Sequence, residues 1–459
     1  MLHRFQRRSR GVKVFLLFAL ALFLPTATST TASAAGLSAG ATHACAAKTD
    51  GTVWCWGSND SAELGSAGEE APTPRQVTGL TGATAVSVGS AHSCALITGG
   101  TVKCWGQNIN GQIGDGTGGL GVGENQFRPA PTTVSGLTDV TAIAAGAFHT
   151  CALRAGGTVS CWGFNAAGQL GDGSAVDRKA PVAVAGLTGV GSISAGGTHT
   201  CAITSGAVQC WGNNSNDQLG AATPGNTSTA PVTVAGVAGI TAISAGSSHT
   251  CAINTSKSAL CWGSNDDGQL GDGTKVSRTA AAAVPGLTSV QSVSAGGGQT
   301  CAVKTDGTAS CWGNGTSGEL GNGSTTDSLI PSAVVGLSTA TSVAAGPNFT
   351  CALLSNQTAS CWGDGYSGQT GSGIWSGTAA AKTPLTVPGL TSVTAVGSGF
   401  RTACAVASSA LQCWGWGGDG NLGSGISGPA APSPTPVSGV PGSVTAVGSG
   451  FVHSCALTS

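Results

Sequence analysis

The sequence has few charged residues and almost no methionine or tyrosine. Only 8% of its 459 residues are charged, and it contains one Met and one Tyr. Glycine and cysteine are abundant instead, with 76 Gly and 17 Cys. This much glycine without a strict triplet period excludes collagen, and long helices are disfavoured because glycine has a low helix propensity. The composition indicates short strands that are joined by many tight turns.

Long apolar runs are missing except near the N-terminus. A basic stretch, Arg4–Lys13, precedes the apolar run Val14–Leu24, which is too short to span a bilayer. Ala32-Ser33-Ala34 then supplies small residues for a cleavage site. This order is typical of a bacterial secretory signal peptide over residues 1–34, with residues 35–459 as the mature chain. We therefore expect an exported protein, extracellular or associated with the cell wall, whose mature chain has no membrane span.

The mature chain also lacks an excess of positive charge. Without the five basic residues of the signal it keeps 13 basic and all 19 acidic residues, which gives a net charge of −6. Nucleic-acid binding requires a basic surface that releases counterions from phosphates. The charge balance therefore argues against a nucleic-acid partner.

Eight tandem modules of about fifty residues make up the mature chain, a period typical of propellers and other repeat folds. Each module contains Cys-Ala-apolar, a turn, Cys-Trp-Gly, a Gly-Gln-Leu-Gly-Asp-Gly loop, Pro-x-x-Val, and an alternating stretch that ends in Ala-Gly. Alternation and β-branched residues predict four short strands per module, as in Val190–Ile193. The predicted fold is therefore all-β, a single-ring β-propeller of four-stranded blades. We expect the repeated tryptophans to form the blade core: Trp56, Trp105, Trp162, Trp211, Trp262, Trp312, Trp362 and Trp414.

The Trp-Gly, Gly-Gln-Leu-Gly, Pro-x-x-Val and Ala-Gly-x-x-His patterns resemble the regulator of chromosome condensation repeat family over essentially the whole mature chain. The resemblance implies a propeller, commonly of seven blades, whereas eight modules are counted here. The family's namesake is a nuclear exchange factor for a small GTPase, a role that export argues against. The chain is also distantly similar to secreted propeller-type β-lactamase inhibitors. An extra strand pair ending in His453, Cys455 and Leu457 leaves open whether the ring has eight blades or one module stands outside it.

Sixteen cysteines form one closely spaced pair in each module, and disulfide, metal and nucleophile chemistries are all possible. Export favours disulfides. Ser205-Gly206 lies midway between Cys201 and Cys210 and suits a two-residue hairpin loop, which would place the two cysteines directly opposite each other. The expected pairs are Cys45 with Cys55, Cys94 with Cys104, Cys151 with Cys161, Cys201 with Cys210, Cys251 with Cys261, Cys301 with Cys311, Cys351 with Cys361 and Cys404 with Cys413. Cys455 is left over as a candidate free thiol or intermolecular bridge.

Six of the seven histidines stand two residues before a cysteine: His43, His92, His149, His199, His249 and His453. One His and two Cys per blade would give zinc three of its four ligands. No acidic residue recurs beside them, however, and modules six to eight carry Gln299, Phe349 and Thr402 at the histidine position. We therefore expect a packing or hydrogen-bonding role for these histidines, no metal and no other cofactor.

No catalytic constellation stands out. Every mature histidine belongs to the repeat, so none is a singular general base. Asp115, Asp172 and Asp272 likewise recur in the Gly-Asp-Gly loop. The sequence does not exclude a carboxylate pair of the kind used for glycoside hydrolysis. It favours a non-catalytic protein and leaves an enzyme as the alternative.

Residues that depart from the repeat indicate where a binding site could lie, because loops on a rigid scaffold carry binding residues. Aromatic residues and arginine are typical interface anchors. The candidates are Phe127, Arg128, Phe164, Tyr366, Trp375 and Trp416, and Phe148, Phe400 and Phe451 lie in a second set of loops. The predicted function is a secreted, non-catalytic binding protein that presents one propeller face to a protein or cell-wall partner, for example in the manner of an enzyme inhibitor. The alternatives are an extracellular hydrolase or lyase acting on polysaccharide or peptide, and a structural surface module.

Overall fold

A computed structural model describes residues 37–39, 43–48, 50–119, 126–223, 225–373, 380–399, 401–418, 420, 422–425, 428, 430–437, 444–449 and 454–458. The first strand and the last two are described by their backbone alone. The regular elements of these residues are all β-strands. Within the same ranges, no helix has the length and apolar character needed to cross a membrane.

Eight antiparallel four-stranded sheets form the blades of one ring, and in each sheet the strands pair in chain order. The strands of blades 1 to 4 are β1–β4 (Leu37–Ala39, His43–Ala47, Val53–Gly57, Ala71–Gln76), β5–β8 (Ala83–Val88, His92–Ile97, Thr101–Gln107, Phe127–Thr133), β9–β12 (Val140–Ala145, His149–Arg154, Val159–Gly163, Arg178–Ala183) and β13–β16 (Val190–Ala195, His199–Thr204, Ala207–Asn213, Thr227–Thr233). The strands of blades 5 to 8 are β17–β20 (Ile240–Ala245, His249–Asn254, Ala259–Gly263, Arg278–Ala283), β21–β24 (Val290–Ala295, Gln299–Lys304, Ala309–Gly313, Ser328–Ala333), β25–β28 (Ala340–Ala345, Phe349–Leu354, Ala359–Gly363, Ala381–Thr386) and β29–β32 (Val393–Ser398, Thr402–Ala407, Ala410–Gly415, Ala431–Pro436).

A further antiparallel pair, β33 (Val444–Ser449) and β34 (Ser454–Thr458), follows blade 8. Strand β33 contacts β29 and β30 of blade 8, and β34 contacts β2 of blade 1. Because blade 1 already has four strands, the ring contains eight blades, one more than the seven that the resemblance implies. His453 and the side chain of Cys455 lie outside what the structure describes.

The second and third strands of each blade form a hairpin that aligns its two cysteines. In blade 4, Cys201 of β14 stands directly opposite Cys210 of β15, and their Cα atoms are 4.1 Å apart. This spacing is close to that of a non-hydrogen-bonded antiparallel pair, which a disulfide can bridge.

All eight predicted cysteine pairs are disulfides, and each lies within one hairpin. From blade 1 to blade 8 the bonds join Cys45 to Cys55, Cys94 to Cys104, Cys151 to Cys161, Cys201 to Cys210, Cys251 to Cys261, Cys301 to Cys311, Cys351 to Cys361 and Cys404 to Cys413. The structure therefore agrees with disulfide chemistry for these sixteen cysteines, with no bond between blades among them.

The hydrophobic cores lie between neighbouring blades, and the repeated tryptophan crosses each boundary. Trp211 of blade 4 packs into a core with Cys151 and Leu170 of blade 3. At the point of closure, Trp56 of blade 1 packs against Cys404 and Val406 of blade 8 in the same way. All eight tryptophans are fully buried, as the sequence predicts.

The Gly-Gln-Leu-Gly loop of one blade and the tryptophan of the next form one unit. The Trp211 indole Nε1–H donates a hydrogen bond to the Gln169 backbone oxygen at 2.9 Å. Gly171 has a φ of +67°, and a Cβ there would come within 2.9 Å of the Trp211 ring. The loop therefore needs glycine both for its left-handed backbone and for contact with the next blade.

The fourth strand of each blade is its outer edge, and proline occupies the same position in seven blades: Pro74, Pro131, Pro181, Pro231, Pro331, Pro384 and Pro434. Proline has no N–H group to offer to another strand, which protects an edge against unwanted pairing. Blade 5 has Ala281 there, and its N–H donates instead to the Ala235 oxygen of blade 4 at 3.0 Å.

Candidate binding face

Strand direction divides the turns of every blade between two faces of the ring. Because the four strands alternate in direction, the turn between the first and second strands and the turn between the third and fourth strands lie on the same face. We call this surface the loop face. The Gly-Gln-Leu-Gly loops and the turns before the histidine position both belong to it.

In blades 2 to 8 two positions of the module meet on the loop face: the residue before the histidine position and the residue after Cys-Trp-Gly. In blade 3 these are Phe148 and Phe164, and the Phe164 backbone N–H donates to the Phe148 oxygen at 2.9 Å. The two rings lie edge to face, with centroids 6.4 Å apart and planes at 80°. Phe148 is 39% exposed. The candidate Phe164 is thus half of an aromatic pair.

The same two positions in blade 8 are Arg401 and Trp416. The Arg401 guanidinium lies 5.9 Å from the centroid of the Trp416 ring, a cation–π distance. Trp416 is half-buried and Arg401 is exposed. Trp416 is one of the residues predicted from the sequence and Arg401 is not, although Arg401 stands at the same module position as Phe148.

Two other candidates lie on the loop face as exposed side chains. Tyr366, in the turn after the third strand of blade 7, is 71% exposed. Phe127, at the start of β8, is 50% exposed. Trp375, Phe400 and Phe451 lie outside the described residues.

Arg128 has a partner within its own blade. Its guanidinium Nη2 lies 2.6 Å from Asp115 Oδ2 in the Gly-Asp-Gly loop. Arg178 with Asp172 and Arg278 with Asp272 repeat this ion pair in blades 3 and 5. Arg128 therefore differs from the aromatic candidates, because the repeat itself gives it a structural partner.

A buried amide of blade 3 lacks the hydrogen bond that it makes in other blades. In blade 4, Gln218 Nε2 donates to Asn213 Oδ1 at 2.9 Å, and Asn213 is the residue after Cys-Trp-Gly. In blade 3 that residue is Phe164, which has no acceptor, and the Nε2 atom of the fully buried Gln169 has no hydrogen-bond partner. An unsatisfied buried amide is costly. Phe164 is therefore unfavourable for folding at this position.

The histidines link neighbouring blades. His149 Nε2 lies 2.9 Å from the Thr200 hydroxyl, which itself donates to the Gln169 backbone oxygen. The Nε2–H group is therefore the donor, because the hydroxyl proton is already used. The bond recurs between His43 and Ser93, His92 and Thr150, and His249 and Thr300. In blade 6, Gln299 Nε2 donates to the Gly346 oxygen of blade 7 instead.

Burial keeps these imidazoles neutral. It lowers the pKa of His149 to about 3, with a further contribution from the charges of His92 and His199. It lowers the pKa values of His92, His199 and His249 to about 4. His43, His92, His149 and His249, which bond to the next blade, fit the hydrogen-bonding role that the sequence predicts. His199 is buried without such a bond and fits the packing role. No group of three or more metal-ligating side chains is present in the described part of the chain.

Known structures with the same architecture share little sequence with this chain. Prp20p from Saccharomyces cerevisiae is 20% identical, with 78% of this chain and 91% of Prp20p covered and a TM-score of 0.59. Yeast RCC1 (Prp20), crystallised with Kap60, is 19% identical over 99% of this chain and 95% of that chain, with a TM-score of 0.65. Human WBSCR16 is 19% identical over 89% and 100%, with a TM-score of 0.62. At this identity the likeness shows the fold alone.

No curated protein matches the sequence. The family model of the RCC1-like domain matches it twice, over residues 23–346 and 116–456. The two matches overlap and together cover most of the chain, in agreement with the repeat patterns and the ring of four-stranded blades. The chain therefore belongs to the RCC1-like domain family.

Proposed function

We propose that the protein is a secreted, non-catalytic binding protein whose loop face contacts a protein or cell-wall partner. The observation that carries this proposal is the placement of five aromatic residues outside the blade cores. Phe127, Phe148, Phe164, Tyr366 and Trp416 come from blades 2, 3, 7 and 8, and all five lie on the loop face. Aromatic side chains are enriched in the energetic centres of interfaces.

The cost of Phe164 to folding supports the same conclusion. A residue that leaves a buried amide unsatisfied is expected where binding outweighs stability. Solved relatives also bind proteins: one yeast structure contains Kap60, and Prp20p is described with binding properties to Gsp1p and histones. Export rests on the predicted signal peptide, and N-terminal sequencing of the protein from culture medium should start after Ala34.

A binding experiment on two faces tests the proposal. The exported protein would be immobilised and exposed to culture medium and to purified cell wall from the producing cells. The loop-face variant combines Phe148→Ala with Tyr366→Ala. The matched control is Trp54→Ala, because Trp54 stands near the hairpin turn of blade 1 on the opposite face, where its Nε1 donates to Thr52. We expect the loop-face variant to lose capture and the control to keep it. Equal capture by both variants would rule out the loop face as the binding surface.

A further inference from the structure

A hydrogen-bond slot recurs in the Gly-Gln-Leu-Gly loops. The glutamine Oε1 accepts a hydrogen bond from the backbone N–H of the residue two positions earlier. The glutamine Nε2 donates a hydrogen bond to the side chain of the residue five positions earlier, which is the residue after Cys-Trp-Gly. In blade 4, Gln218 Oε1 accepts from Asn216 at 2.9 Å and Nε2 donates to Asn213 Oδ1 at 2.9 Å. The acceptors in blades 2, 5 and 7 are Gln107, Ser264 and Asp364.

Blade 6 has a carboxyl group in this slot. Glu319 Oε2 accepts from the Ser317 N–H at 2.7 Å, so Glu319 Oε1 takes the place of the amide Nε2. The residue at the repeat position that faces the slot in blade 4 is Asn314 here, and its Oδ1 accepts from the backbone N–H and the hydroxyl of Thr316 at 3.1 and 2.8 Å. Asn213 makes the same two bonds to Ser215 in blade 4, which fixes its Oδ1 toward the slot. By analogy with blade 4, Glu319 Oε1 and Asn314 Oδ1 occupy facing positions, and both are acceptors unless the Glu319 carboxyl carries a proton.

We propose that Glu319 is a proton-binding site: its protonated carboxyl donates to Asn314 Oδ1, and loss of the proton breaks this bond and rearranges loop 314–323 on the loop face. Glu319 is 1% exposed, so water cannot readily replace the lost partner. The proposal goes beyond the binding function and does not depend on the identity of any partner.

The charges around the slot agree with a bound proton at neutral pH. Burial, with the added effect of the negative charges of Asp327 and Asp364, raises the pKa of Glu319 to about 7 against the lowering effect of the backbone N–H groups. Asp327 closes the same loop and is paired with Lys275 of blade 5 at 3.0 Å. Asp364 belongs to blade 7. Asp267 of blade 5 lies beside Gly298 and Asn314 at the entrance of the loop.

Blade 1 provides a matched control. Glu63 occupies the same slot, but its Oε1 accepts a hydrogen bond from the Ser58 hydroxyl at 3.0 Å, and its Oε2 accepts from the Ser61 N–H at 2.7 Å. A serine can donate where Asn314 Oδ1 cannot. Ionisation of Glu63 therefore keeps both of its hydrogen bonds, whereas ionisation of Glu319 removes one.

The next blade contains a reporter of this loop. The Glu319 backbone oxygen accepts from the Trp362 indole N–H at 2.8 Å and from the Thr350 hydroxyl at 3.0 Å. A rearrangement of the loop changes the environment of the indole N–H, which NMR can follow. Trp105 reports on the loop of Glu63 in the same way, at 2.8 Å.

The experiment follows both indole resonances of the full protein across neutral pH. We expect the Trp362 resonance to titrate with a midpoint near 7 in the wild type, to be unchanged by pH in Glu319→Gln, and to titrate as in the wild type in Glu63→Gln. Asn314→Ser, which gives Glu319 the donor that Glu63 has, should move the midpoint to lower pH. Glutamine in the slots of other blades indicates that Glu319→Gln will fold.

Two results would overturn the proposal. One is a Trp362 resonance that does not move with pH in the wild type. The other is the same titration in wild type and Glu319→Gln, which would assign the proton to another group. Neither result affects the capture experiment, which tests the binding function independently.

Discussion

Phe164 occupies a position at which blades 2, 4, 5 and 7 hold an acceptor for the buried glutamine amide. Its ring gains an edge-to-face contact with Phe148 and leaves Gln169 Nε2 unpaired. Aromatic pairs contribute about 0.5–1.5 kcal/mol, whereas a buried unsatisfied group costs about 1–3 kcal/mol. The balance therefore favours a polar residue for stability and an aromatic residue for binding.

Phe164→Asn should restore the bond that blade 4 shows between Gln218 and Asn213. We expect the free energy of unfolding to rise by about 1 kcal/mol, together with weaker capture of the partner. Denaturant titration measures the first effect. Phe164→Leu is the control, because it removes the ring without supplying an acceptor and should not stabilise the protein. A Phe164→Asn variant that is less stable than Phe164→Leu would contradict the argument.

The buried histidines predict a dependence of stability on acid. Their pKa values in the folded protein, about 3 to 4, lie below the ordinary value of 6.5. The unfolded chain therefore binds protons first as the pH falls, and each such histidine removes about 1.4 kcal/mol per pH unit between pH 6.5 and about 4. Stability that is present above pH 6.5 is lost on acidification.

His149→Gln tests this dependence, because blade 6 already holds a glutamine, Gln299, that donates to the next blade. We expect the variant to gain stability relative to the wild type as the pH falls from 6.5 to 5, by about 1–2 kcal/mol. The measurement is the free energy of unfolding at several pH values. Parallel curves for the two proteins would show that His149 is not buried in its neutral form.

At the scale of the element, each disulfide closes a hairpin within one blade. In blade 6, Cys301 and Cys311 lie 10 residues apart. Replacing both with alanine should lower the free energy of unfolding by about 2–3 kcal/mol, since a short loop gains chain entropy when it is opened. Hydrogen exchange should accelerate in β22 and β23 and stay unchanged in blade 2. Hydrogen exchange that accelerates equally in all blades would contradict a disulfide whose effect is confined to its own blade.

The elements that sequence could predict are those set by local patterns. Cysteines about ten residues apart around a turn predicted the hairpins and their disulfides, because pairing in a hairpin depends on the turn alone. The sequence interprets Arg128 as an interface anchor, and the structure adds an ion pair with Asp115. Because the same pair recurs in blades 3 and 5, the aligned modules already contain the signal for it. The slot of Glu319 could not be predicted, since the sequence shows Glu in place of Gln but not which atom faces it.

At the scale of the whole molecule, ring closure depends on the contact between the first and last blades, which no local pattern specifies. The module count could not decide between eight blades in the ring and one module outside it. The structure closes the ring through Trp56, which packs against Cys404, Val406 and Leu422 of blade 8. This contact is equivalent to that of Trp211 with blade 3, although β33 and β34 also contact the inner strands of blades 8 and 1 at this junction.

Closure between blades 1 and 8 predicts that the C-terminal strand pair is dispensable for the ring. Eight disulfides use sixteen of the 17 cysteines, so the oxidised, denatured protein should titrate one thiol per chain. A chain that ends at residue 437 should titrate none and should keep a cooperative unfolding transition, because Trp56 still has its partners in blade 8. The control is Trp56→Ala in the full chain, which should lower stability by about 3–5 kcal/mol. Unfolding of the shortened chain would instead assign closure to β33 and β34.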